Sequence, residues 1–125
     1  MLNVVDSCGW LEYFGNGKNA AFFAEALEDE ACLLVPAPCI FEVCKRVLIL
    51  HGDSAATQAH LAMKRGRVVQ LDADHLLAAA RASAAHQLSM GDAIIWQTAQ
   101  VYGAALYTQV TGMRALVGVR FVEKG

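Results

Sequence analysis

Short apolar runs, several rich in β-branched residues, punctuate longer stretches of helical periodicity along this chain, and few hairpin signals join one run to the next. The runs are Leu2–Val5, Cys32–Val35, Val68–Leu71, Ala104–Thr108 and, shorter, Val117–Val122. Between them the spacing predicts helices over Ser7–Phe14, over a segment with the apolar face Ala20, Phe23, Ala24 and Leu27, and over Ala55–Lys64, Asp72–His86 and Met90–Tyr102. Asn16 or Asn19 is placed to cap the second of these helices. A further helix follows Pro36-Ala37-Pro38, with Ile40, Phe41, Cys44, Val47, Leu48 and Leu50 expected inward and Lys45 and Arg46 outward. Strands separated by helices pair in parallel, and a parallel sheet needs cover on both faces. The fold class expected is therefore α/β, with four to five parallel strands between helical layers.

The 125 residues suit a single domain over 1–125, and 56% apolar content with a formal charge of −2 excludes disorder. The longest uncharged apolar run, Ala31 to Phe41, is about half the roughly 20 residues a membrane span needs, and Pro36 and Pro38 interrupt it. Met1–Asp6 lacks the basic start of a secretion signal. Cys8, Cys32, Cys39 and Cys44 form no CxxC pair and read as small buried hydrophobes in a reducing, cytoplasmic setting. Neither they nor His51, His60, His75 and His86 have zinc-site spacing. The near-neutral charge excludes a polybasic grip on nucleic acid, and no glycine-rich turn follows the first strand to cradle a phosphate.

Ligands of parallel sheets gather at the carboxyl ends of the strands, and three acids stand near such ends or at helix starts. Asp6 closes the first strand, Glu42 lies early in the helix after the second, and Asp92 opens the helix before the fourth. Each also has an ordinary structural use. Asp6 can cap the helix at Ser7, Glu42 can pair with Arg46 one turn on, and Ser89-Met90-Gly91-Asp92 has a capping-box pattern.

The flanking residues add a resemblance that runs from Val4 to Phe121. Val5-Asp6-Ser7 with Trp10–Phe14 resembles the opening of PIN-domain ribonucleases of the VapC toxin type. Phe41-Glu42-Val43 before Lys45-Arg46 is similar to that family's second acidic motif, and Leu88–Ile95 running on to Thr98-Ala99 is similar to its third. Leu106–Gln109 and Leu116–Phe121 resemble its fourth block and last strand. The resemblance implies a three-layer α/β/α sandwich. It implies that Asp6, Glu42 and Asp92 bind Mg²⁺ or Mn²⁺ and catalyse RNA phosphodiester hydrolysis, with Ser7 and Thr108 as supporting hydroxyls. It also implies an antitoxin partner that sends a basic side chain towards the acids, and a homodimer. Three convergent carboxylates need a cation to stay ionised together, and a hard divalent ion prefers such oxygens. Lys45 and Arg46, with Lys64, Arg65 and Arg67, are candidates for a local RNA-contacting rim.

One position departs from the family's pattern. Where it presents an aspartate after Thr108-Gln109, this chain has Val110, and Gly112 stands two places on. Valine binds no metal. The sequence therefore leaves two readings open: a metal-dependent endoribonuclease toxin with weakened activity, or an inactive PIN-like module whose work is binding its antitoxin.

Overall fold

The computed structural model describes Met1–Gly125. Five short strands, β1 (Asn3–Val5), β2 (Leu33–Pro36), β3 (Arg67–Val69), β4 (Ala105–Thr108) and β5 (Val119–Phe121), form one sheet in the order β3-β2-β1-β4-β5. Every neighbouring pair is parallel, with Val4 beside both Leu34 and Leu106. The expected α/β architecture with a parallel sheet is present, at the upper end of the anticipated strand number.

Helices α1 (Ser7–Phe14) and α2 (Ala20–Leu27) connect β1 to β2, and α3 (Ala37–His51) and α4 (Asp53–Met63) connect β2 to β3. Helices α5 (Ala73–His86) and α6 (Met90–Tyr102) carry the chain back across the sheet to β4. From β1 the chain first winds one way, to β2 and β3, and then crosses to the other side, to β4 and β5. Right-handed crossovers put α1 to α4 on one face and α5 with α6 on the other. The direction of winding reverses between β1 and β4. Their carboxyl ends flank the crevice where open α/β sheets hold ligands.

The central strands have fully buried patterns, as expected of a sheet covered on both sides. Val4, Val5, Val35 and Leu106 are inaccessible and pack with Phe23, Met63, Ile95 and Met113 in one continuous core. Gly9 lets α1 lie close on this core, because a Cβ there would meet Val5 Cγ1 at 2.5 Å and the Phe23 ring at 2.6 Å. The ends of elements differ from the sequence reading by a residue or two. Pro36 completes β2, and Pro38 sits in the first turn of α3, where a missing N–H costs nothing.

Two expectations need correction. The inward face of α3 is Cys39, Val43 and Val47; Phe41, Leu48 and Leu50 are exposed, as is Ile49. A stripe that an isolated helical pattern assigns to the core instead faces outward, because one narrow face suffices where α3 rests on the sheet. Among the cysteines only Cys39 is buried; Cys8, Cys32 and Cys44 are half-buried and all four are free thiols. No helix is long and apolar enough to cross a membrane.

Candidate functional site

Asp6 leaves β1 at the reversal point and is 2% exposed. Its backbone is extended, so the chain turns there into α1 and the Asp6 carboxylate caps the helix: Oδ1 accepts the Ser7 N–H at 2.7 Å. The capping reading is thus correct and incomplete. Oδ2 accepts the Thr108 hydroxyl at 2.8 Å, across from the end of β4, and the Cys8 thiol at 3.5 Å. Thr108 has no freedom to reverse this bond comfortably, because its oxygen already accepts the Val110 N–H at 3.0 Å. Burial, together with the nearby Asp92 charge, nonetheless pushes the Asp6 pKa up from 3.8 to about 6.

Glu42 is exposed in the second turn of α3, and its Oε1 accepts the Ser7 hydroxyl at 2.8 Å. Ser7 also touches the Cys39 sulfur at 3.3 Å. Glu42 forms no ion pair with Arg46: the two ion pairs of the chain are Arg65–Glu30 and Arg114–Glu123. Asp92 lies in the first turn of α6, where its backbone N–H donates to Ser89 Oγ at 3.2 Å. Burial raises the Asp92 pKa, with the Ser89 hydroxyl opposing. Next to it, Gly91 leaves room for Glu42: a Cβ on Gly91 would overlap the Glu42 carboxylate. The helix turns carrying Glu42 and Asp92 therefore meet over the end of β1.

Asp6 and Asp92 are close enough to bear on one another and Glu42 joins them through Ser7, yet no three His, Cys, Asp or Glu side chains converge as a ready ligand set. Like charges without a counter-ion keep apart, and the Glu42 carboxylate rests on Ser7. The donor chemistry fits a hard divalent cation: oxygens only, with one carboxylate held buried and destabilised as an anion. The softer sulfurs are protonated. Burial and the Asp6 charge push Cys8 up to about 12, and burial raises Cys39 further.

Val110 is half-buried and packs against the core, with no group to offer an ion. The basic candidates divide. Arg46 follows Glu42 by one turn and lines an open groove of about 720 Å³ that begins beside the pocket at Cys8 and Gln109. Lys45 turns to another face and stands 5.9 Å over the Phe41 ring. Lys64, Arg65 and Arg67 are excluded from the site: Arg67 opens β3, so all three lie at the opposite end of the sheet. Arg65 pairs there with Glu30, and Arg67 stacks on Tyr102. Asp72 caps α5 through the His75 N–H.

Sequence reasoning did not single out Cys8, Cys39 or Gly91 as neighbours of the acids, nor Asn19 as a tie. Asn19 stands at the cap of α2, but its amide donates to Gln109 Oε1 at 3.0 Å and to the Glu123 carbonyl at 2.9 Å. It thereby fastens the segment after Thr108. Only the proximity of Cys8 to Asp6 along the chain hinted at any of these contacts.

The family model described as PIN domain matches residues 4–114. No curated protein matches the chain. Among solved structures, a toxin–antitoxin complex from Klebsiella pneumoniae superposes with a TM-score of 0.79 at 19% identity, covering 94% of this chain and 95% of the other. The Mycobacterium tuberculosis toxin VapC20, which cleaves the sarcin-ricin loop, gives 0.77 at 17%, covering 94% and 96%. DNA-bound VapBC from Salmonella typhimurium gives 0.73 at 13%, covering 98% of each chain. At these identities the likeness is one of fold.

Proposed function

This chain belongs to the PIN domain family, and from that premise we propose that it is a Mg²⁺- or Mn²⁺-dependent endoribonuclease, the VapC-type toxin of a toxin–antitoxin pair. The observation that carries the reading is Asp6: a buried carboxylate at the reversal point of the sheet, held by Thr108 from the neighbouring strand and raised in pKa by burial and Asp92. A structural cap alone needs neither burial nor a second acid facing it. In this reading Asp6, Glu42 and Asp92 hold the cation. Bound there, it would acidify a water and counter the charge of the scissile phosphodiester.

The remaining roles belong to the chain. Thr108 and the Ser7 N–H fix both Asp6 oxygens as acceptors, so the carboxylate is presented in one orientation. Ser7 Oγ steadies Glu42, and Gly91 leaves the space in which that carboxylate moves. Arg46 supplies a cation one turn from Glu42 for the RNA backbone; Lys45 lies farther round the helix. The proposed partners are an antitoxin carrying a basic side chain to the acids and a second copy of this chain, for which the exposed Phe41, Leu48 and Ile49 of α3 offer an apolar stripe.

Val110 favours a second reading, an inactive PIN-like module that acts by binding its antitoxin. The two separate on incubation of single-stranded RNA with Mn²⁺ and the native, Asp92→Asn or Val110→Asp chain. The first reading expects cleavage by the native chain, faster with Val110→Asp and absent with Asp92→Asn. No cleavage by either active-site version contradicts it, and cleavage by Val110→Asp alone marks a disabled relative.

A further inference from the structure

Asparagine is among the best residues for capping a helix, and Asn19 stands at the cap position of α2, yet its side chain makes no capping bond. It is turned inward instead and is 8% exposed. Its backbone N–H donates to Glu12 Oε2 at 2.8 Å, which fastens it to α1. Its amide nitrogen donates to two distant segments, to the Glu123 carbonyl at 2.9 Å and to Gln109 Oε1 at 3.0 Å. The orientation is forced. A backbone carbonyl can only accept, so the nitrogen must face Glu123, and its second hydrogen then requires the oxygen of the Gln109 amide. Gln109 is also buried, and two polar side chains at this depth hold each other in place, because removing one strands the other.

From Gln109 two contacts lead to the acids. The Val110 N–H, next along the chain, donates to Thr108 Oγ1 at 3.0 Å, and the Thr108 hydroxyl donates to Asp6 Oδ2 at 2.8 Å. The Gln109 backbone N–H lies close to the Cys8 sulfur, and the Cys8 thiol reaches the same Asp6 oxygen at 3.5 Å. Both routes end on Oδ2, the oxygen that the Ser7 N–H does not hold. Pairing with β5 fixes the chain as far as the Thr108 carbonyl, which accepts the Val122 N–H at 3.1 Å. The Gln109–Val110 peptide lies beyond the strand. What holds the Gln109 side chain therefore sets where the Val110 N–H points.

We infer that Asn19 is a positioning residue of the acid pocket: through Gln109 it keeps the Val110 N–H on Thr108, and so keeps Asp6 Oδ2 in one orientation. The inference rests on the cation reading of Asp6, Glu42 and Asp92. Partners behind a metal ligand commonly change affinity by about tenfold to a hundredfold when removed, although they never touch the ion. Asn19 stands several contacts behind Asp6, so the lower end of that range applies.

Calorimetric titration with Mn²⁺ and amide hydrogen exchange on the metal-free chain test this together. Asn19→Ala and Gln109→Leu should each weaken Mn²⁺ binding by about tenfold. Gln109→Leu leaves the Asn19–Glu123 bond in place, so it tests the same link if Asn19→Ala fails to fold. Combining Asn19→Ala with Thr108→Val should cost little more than Thr108→Val alone, since both act along one path. Tyr13→Phe, which removes the Tyr13–Glu28 bond elsewhere on α1, should bind Mn²⁺ like the native chain. Without metal, exchange at Val110 should quicken in Asn19→Ala. Native affinity in Asn19→Ala, losses that multiply in the double variant, an equal loss in Tyr13→Phe, or unchanged exchange at Val110 overturns the inference. A native chain that binds no Mn²⁺, while Asn19→Ala still frees the Val110 amide, removes the cation reading instead.

Discussion

At the scale of the residue, Asp6 holds the main electrostatic tension in the molecule. A carboxyl whose pKa rises from 3.8 unfolded to about 6 folded binds its proton more tightly in the native state. The resulting penalty is absent below about pH 4, grows as the pH rises, and is complete above the folded value, where it amounts to about 3 kcal/mol. Asp92 is shifted in the same direction. The metal-free chain should therefore be more stable at pH 5 than at pH 8 in urea unfolding. Asp6→Asn should remove most of that difference; equal slopes in both chains would show that Asp6 ionises freely. Gly91 gives a sharper probe of the pocket. Gly91→Ala puts a methyl against the Glu42 carboxylate, which is the far end of a flexible side chain and can swing aside. The expected outcome is a melting temperature within a few degrees of the parent, since surface-type changes are usually worth within about 0.5 kcal/mol, with a loss of Mn²⁺ affinity. Unchanged affinity would place Glu42 outside the cation site.

At the scale of the element, close packing of α1 on β1 depends on Gly9. Gly9→Ala gains helix propensity of about 1 kcal/mol, yet it drives a Cβ into Val5 and Phe23, both inaccessible. Overpacking of this kind costs typically about 1–3 kcal/mol, so denaturant unfolding should show a net loss. A gain would mean that α1 rides higher on the sheet. Much of this layer was readable from the residues. The apolar runs located all five strands, Ser89 announced the start of α6, where it caps as expected, and Asp72 was read as the start of α5, which its side chain instead caps from just outside. The outer face of α3 was not readable, because Phe41, Leu48 and Leu50 have the composition and spacing of a core face. Only the way α3 rests on its neighbours through Cys39, Val43 and Val47 distinguishes the two. The candidate site divides in the same way. Asp6, Glu42 and Asp92 were singled out by their places beside strand ends and helix starts together with the flanking resemblance, whereas the contacts of Thr108 with Asp6 and of Gly91 with Glu42 join residues far apart in sequence and required the fold.

At the scale of the whole molecule, the winding order gives the proposed nuclease a place for RNA on an acidic chain. Reversal between β1 and β4 opens one crevice, with Asp6 at its floor and Arg46 along the groove beside it. The remaining basic cluster, Lys64 to Arg67, lies at the other end of the sheet and adds nothing there. The apolar surplus has two destinations: a sheet buried on both faces and the exposed stripe of α3. If the stripe receives a second copy, sedimentation should find a dimer that Ile49→Asp converts to monomer; a native monomer contradicts that part of the account. The central claim concerns the acids, and calorimetric titration of the chain with Mn²⁺ tests it most directly. Saturable binding that falls by about tenfold or more in both Asp6→Asn and Asp92→Asn is the expected result, consistent with removal of a charged ligand from a hard-cation site. Binding of equal strength in the native chain and both variants would contradict it.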